Sequence, residues 1–253
     1  MNAETLYSIL IGLLQILASL PLALLADKIP PNPLMGFRVA YTMTTKRAWI
    51  RLNKLMGAVL ASIGGIAIPI GILAGIGVEA TFLAVADTLI VLALTEYSRI
   101  YAERELVREP GPLGQVEPVR GVGKTLEAII ASIALGTIPP AVIAAMDMWS
   151  EGLYAAAIIF LSLPVLPLYL AYLSLRRPEA YSYPWLSSRE HRIIVVLSPV
   201  SVSLIVAGIE IIPAYFPSGM ALLSIGAALV IVELWVVLRA YARSGGNSPR
   251  GSN

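Results

Sequence analysis

The chain has no cysteine and a single histidine, His191. The missing thiols exclude disulfides, thiolate nucleophiles and Cys-ligated metal. One imidazole cannot make a bis-histidine haem or a multi-histidine metal centre. Charge is scarce as well: 13% of residues are Asp, Glu, Lys or Arg, against about 25% in an ordinary soluble domain. A net charge of +2, with the basic residues gathered beside apolar runs, is not the footprint of a nucleic-acid binder. No Gly-x-Ser-x-Gly elbow or His-Glu metal motif occurs. Gly123-Lys124-Thr125 lacks the earlier glycine of a phosphate loop, because Pro118 stands there. The expectation is a protein with no catalytic residues, no cofactor and no metal.

What is abundant is apolar sequence, 57% of the chain. Seven runs stand out, at 5–26, 55–77, 80–101, 126–146, 153–175, 193–215 and 219–238. Each has about 20 residues or more, enough to cross a hydrocarbon layer of about 30 Å as a helix. The 18 lysines and arginines then fall only after the first, third, fifth and seventh runs, as groups of six, five, four and three. The other connections carry Glu79, then Asp147 and Glu151, then no charge. Basic residues stay on the cytoplasmic side. The reading is an all-α, multi-pass cell-membrane protein of seven transmembrane helices, its N-terminus outside and its C-terminus cytoplasmic. The first run follows Glu4 with no Lys or Arg before it, unlike the positive start of a secretory signal, so a retained helix is expected.

This divides the chain into a three-helix membrane unit with a cytoplasmic loop at 1–103, a cytoplasmic loop and connector helix at 104–152, a second three-helix unit at 153–243, and a polar tail at 244–253 expected to be disordered. A faint echo between Thr44-Thr-Lys-Arg47 and Ser187-Ser-Arg-Glu190 suggests a parallel three-one-three duplication. Thr44 or Thr45 can cap the second helix, and Ser187 with Glu190 has the spacing of a capping box. Pro69, Pro139-Pro140, Pro164, Pro167, Pro199 and Pro213 are placed to interrupt spans.

The first cytoplasmic loop holds the most specific local pattern: Asn32, Gly36 and Arg38, a threonine at 42 or 44, then Trp49, Asn53 and Gly57. Arg38 is a rigid fork suited to phosphate or carboxylate. Trp49, Asn53, Gly57, Ala61 and Gly65 form an i+4 row, whose small members would let another helix approach. The pattern Asn-x(3)-Gly-x-Arg, threonine, Trp-x(3)-Asn-x(3)-Gly resembles the SdpI family of membrane proteins over roughly the first three runs. That resemblance implies an immunity or signal-transduction factor, which binds a peptide or amphiphile and holds a cytosolic protein at the membrane. Asn32, Gly36, Arg38, Thr44, Trp49, Asn53 and Gly57 are then the candidate binding residues, with a structural clamp as the alternative. Membrane lipids are further expected partners.

Intramembrane polar residues are the second set of candidates. Asp87, Glu210 and Glu233 lie within runs, where a carboxylate is costly and by default suggests an ion or substrate path. Gln15 is a plausible polar partner for Asp87. Glu210 is placed to snorkel outward, and Glu233 to reach Arg239. These acids support an alternative reading as a small-solute or ion transporter. His191, at the start of a helix, is expected to be solvated.

Overall fold

The computed structural model describes residues 3–32, 39–43, 45–108, 123–183, 185–212 and 216–244, and these contain helices, turns and no strand. Among them are seven helical stretches long and apolar enough to cross a membrane: Glu4–Leu25, Lys46–Ala74, Ile76–Glu105, Lys124–Ser150, Tyr154–Arg176, Ser188–Ile211 and Phe216–Arg243. A helix satisfies its own backbone hydrogen bonds, which a lipid environment demands. The fold is that of a multi-pass membrane protein.

Nine helices make up these seven stretches. They are α1 (Ala3–Leu25), α2 (Lys46–Ala74), α3 (Ile76–Arg108), α4 (Lys124–Leu135), α5 (Ile138–Ser150), α6 (Tyr154–Ser162), α7 (Val165–Arg176), α8 (Ser188–Ile211) and α9 (Phe216–Arg243). The fourth stretch breaks at Gly136-Thr137, one residue ahead of Pro139-Pro140 in the first turn of α5, and the fifth at Leu163-Pro164. Proline lacks the N–H that would continue the ladder and its ring crowds the preceding turn. Pro69 and Pro199, expected to interrupt their spans, lie instead inside continuous helices, as does Pro21; Pro167 lies in the first turn of α7, and Pro213 is outside the described residues. Thr45 caps α2, its side chain accepting from the Ala48 N–H at 3.0 Å. Ser187 and Glu190 form the expected capping box on α8. Gly75 joins α2 to α3 at φ +91°, a conformation that glycine adopts without a Cβ penalty.

The chain separates into two compact units, Met1–Gly114 and Gln115–Asn253. In the first, α1 and α2 run antiparallel along a seam of small residues. A Cβ on Gly57 would come within 2.8 Å of the Ser19 carbonyl oxygen. One on Gly64 would come within 2.9 Å of the Gly12 carbonyl oxygen, and one on Gly71 within 2.5 Å of Ser8 Oγ. Such contacts let two backbones approach closely without an aqueous driving force. This corrects the i+4 row expected from sequence. Gly57 is on the seam, but Gly65 has nothing within 4 Å. Each four-residue step turns about 40° past a full turn, while a seven-residue step falls only about 20° short of two. The seam therefore follows Gly57, Gly64 and Gly71. Helix α3 closes the unit on α2 through Met56 and Leu94, backed by Leu55, Leu60, Ile90 and Val91.

In the second unit the tight pair is α8 with α9. Cβ atoms on Gly208 and Gly226 would come within 2.8 Å of the Gly219 carbonyl oxygen and 2.9 Å of the Ser201 carbonyl oxygen. Helices α4, α7 and α8 share a core of Ile130, Ala134 and Ala171, with Leu168 and Val196 packed on it. Large apolar side chains point outward from the helices, among them Leu14, Leu17 and Leu24 of α1 and Ile231 of α9. In water these would be a liability; in a bilayer they meet acyl chains.

Candidate functional site

The loop between α1 and α2 is pinned at both of its described ends. Trp49, in the first turn of α2, is 2% exposed and its indole Nε1–H donates to the Ile29 carbonyl at 2.7 Å. At the other end Ala40–Met43 forms a 3₁₀ turn, all four residues buried, packed against α2 and α3. Thr42 Oγ1 donates to the Val39 carbonyl at 2.8 Å. Asn53 is wholly buried one turn beyond Trp49, and its Nδ2 donates to the Trp49 carbonyl at 2.9 Å. Asn32 turns back on its own segment, Nδ2 donating to the Pro30 carbonyl at 2.8 Å. Gly57 continues the same helix into the α1 seam. Gly36, Arg38 and Thr44 lie outside the described residues. The structure thus brings Trp49, Asn53 and Thr42 together as anchors of the loop, and α2 carries Gly57 on the same helix.

The loop is bordered by charge. Asp27 meets Lys54 Nζ at 3.3 Å. Its own backbone N–H, and then Lys54, hold the Asp27 carboxyl below its ordinary range. The Arg51 guanidinium stacks over the Tyr101 ring at 5.2 Å, a cation–π contact. Arg99 is held by Glu96 and Glu103 at 3.0 and 2.8 Å.

Deeper in the same unit the anticipated Gln15–Asp87 pair is present. Gln15 Nε2 donates to both Asp87 oxygens at 3.0 Å, tying α1 to α3. Sequence reading missed a second acid there. Glu79 was counted as an exterior loop charge, yet it is 0% exposed in the first turn of α3. Among the described residues neither its carboxylate oxygens nor the neighbouring Ser8 Oγ has a hydrogen-bond partner. Gly71 leaves the space they share, since a Cβ there would come within 2.7 Å of Glu79 Cδ. The usable signal was the heptad step from Gly57 to Gly71, which brings the α2 seam to the start of α3.

In the second unit Glu210 departs from expectation. It is 2% exposed and both carboxylate oxygens lack partners among the described residues, so it does not snorkel. Arg239 stacks on Trp235 at 5.1 Å rather than reaching for Glu233, which lies near enough to Tyr181 to act on its phenol. His191 is likewise not solvated. It is 3% exposed and its Nδ1 lies 3.0 Å from Ser182 Oγ. The preceding segment folds over α8: Tyr181 donates to the Leu170 carbonyl at 3.1 Å, and Trp185 stacks with Tyr183 and meets Tyr241 edge-on. Burial, then Tyr183, push the Tyr181 phenol well above its ordinary pKa, so it remains a donor. Among the described residues no three His, Asp or Glu side chains converge as a metal site.

Comparison with known proteins agrees with the motif. No curated protein and no solved structure matches the chain. A family model does match, over residues 28–98, the stretch that holds the pinned loop, α2 and most of α3. That model is the one of the SdpI/YfhL protein family.

Proposed function

We propose that the chain is a non-enzymatic membrane factor of the SdpI kind, resident in the cell membrane. In this reading it binds a peptide or amphiphile within its bundle and uses the first loop to hold a cytosolic protein. The observation that carries the reading is the coincidence of the family match with the pinned loop. Trp49, bonded to the Ile29 carbonyl, and the buried turn Ala40–Met43 fix the described ends of the loop. Arg38 is the residue of that segment suited to a carboxylate or phosphate on the partner. Preorganisation of this sort lowers the ordering cost of binding.

The test is protection of a sensitive bacterium against a membrane-active killing peptide, together with cross-linking capture of cytosolic partners. Arg38→Ala should abolish protection or capture while the protein remains in the membrane at normal levels. Unchanged protection and capture would reject the reading. A second reading, transport of protons or small solutes, draws on Glu210 and Glu79, which are buried without partners, and on the Gln15–Asp87 pair. Flux in proteoliposomes that vanishes in Asp87→Asn or Glu210→Gln would favour it.

A further inference from the structure

In the second unit, outside the family-matched region, a cavity of about 470 Å³ opens between α4 and α8. Leu126, Arg189, Arg192, Ile193, Val196 and Leu197 line it. Its α8 residues follow the helical steps i, i+3, i+4, i+7 and i+8, so they form one face. The two guanidiniums occupy the first turns of α8 and the apolar side chains the turns that follow. The cavity is therefore amphiphilic along its length. Cationic donors stand at the helix N-terminal end, where the backbone also favours negative charge, and an aliphatic wall runs on into the spanning part of α8.

Among the described residues the arginine charge is not spent on a partner. Glu190, between them in sequence, is committed to the Ser187 cap and to an ion pair with Arg243. Among the described residues Arg189 and Arg192 form no ion pair. Among the described residues the Arg192 side chain makes one long contact, Nε donating to the Ser188 carbonyl at 3.4 Å. We propose that this groove is a binding site for an anionic phospholipid. Its phosphate is held by Arg189 and Arg192, and one acyl chain lies along Leu126, Ile193, Val196 and Leu197. A free phosphate would use only the mouth and leave the aliphatic wall unfilled. A zwitterionic lipid would fill the wall but bring its own cation to the arginines.

The full chain, purified in detergent, is incubated with equal amounts of phosphatidylglycerol and phosphatidylcholine bearing the same acyl chains. Retained lipid is read by native mass spectrometry. Phosphatidylglycerol should be preferred about thirtyfold, the size expected when two arginines each contribute about the usual surface attraction. R189Q/R192Q should lose the preference. Ile193→Trp, which fills the groove and leaves the arginines in place, should lose retention of both lipids. In the unmodified protein, phosphatidylglycerol with a photoreactive acyl chain should cross-link to α4 and α8. Equal retention of the two lipids, a preference that survives R189Q/R192Q, displacement of the lipid by inorganic phosphate, or cross-links confined to α1–α3 would each overturn the proposal.

Discussion

At the scale of single residues, the loop depends on a few directed bonds. Trp49→Phe keeps an aromatic side chain, though a smaller one, but deletes the bond to the Ile29 carbonyl and leaves that oxygen without its donor. A loss of about 1 kcal/mol is expected, read as a lower melting temperature in detergent. No change would mean that the indole nitrogen does not pin the loop. Glu210 predicts the opposite sign. A buried carboxylate without a partner carries an uncompensated desolvation cost, so Glu210→Leu should raise the melting temperature; a lower one would mean that the carboxylate has a stabilising partner. Asp27 gives a pH dependence. Its carboxyl is held below the ordinary range, so its contribution is present above the unfolded pKa and is lost as pH falls through the lower folded one. The group is exposed, hence the effect is small, and Asp27→Asn should only slightly flatten the acid side of the stability curve. The Gln15–Asp87 pair was legible in the sequence because a lone carboxylate in an apolar run must find a polar partner. Glu79 was not, because beside a turn an acid reads as a loop charge until the packing is known.

Helix pairs are where periodicity reads well and phase reads poorly. The N-caps at Thr45 and Ser187 follow from local chemistry, which is why they could be placed in advance; the breaks beside Pro139-Pro140 and at Pro164 could be only partly so, because Pro69 and Pro199 carry the same signal and lie inside continuous helices. The α1–α2 seam could not, because an i+4 row and an i+7 row share Gly57 and separate only over the next two turns. Two substitutions one residue apart distinguish them. Gly64→Leu should force α1 from α2 and cost on the order of 1–3 kcal/mol, as overpacking does. Gly65→Leu meets open space and should be close to neutral. Thermal unfolding of both variants in one detergent checks this, and equal destabilisation would contradict the seam.

For the whole molecule, seven apolar helices were readable because a bilayer fixes both length and polarity. Sidedness rests on where the 18 basic residues fall, and with it the proposal that the Arg38 loop faces the cytosol. Since the chain has no native cysteine, single introduced cysteines report sidedness cleanly. Ser182 is a poor position for one, being buried against His191. Ser188 and Ser150 are exposed at the ends of their helices, and Gly114 lies in the second basic connection. The decisive measurement is labelling of intact cells with a membrane-impermeant maleimide before and after permeabilisation. The account predicts that Ser150→Cys labels in intact cells, and that Ser188→Cys and Gly114→Cys label only once the membrane is opened. Labelling of Ser188→Cys or Gly114→Cys in intact cells would put a basic connection outside and contradict the account.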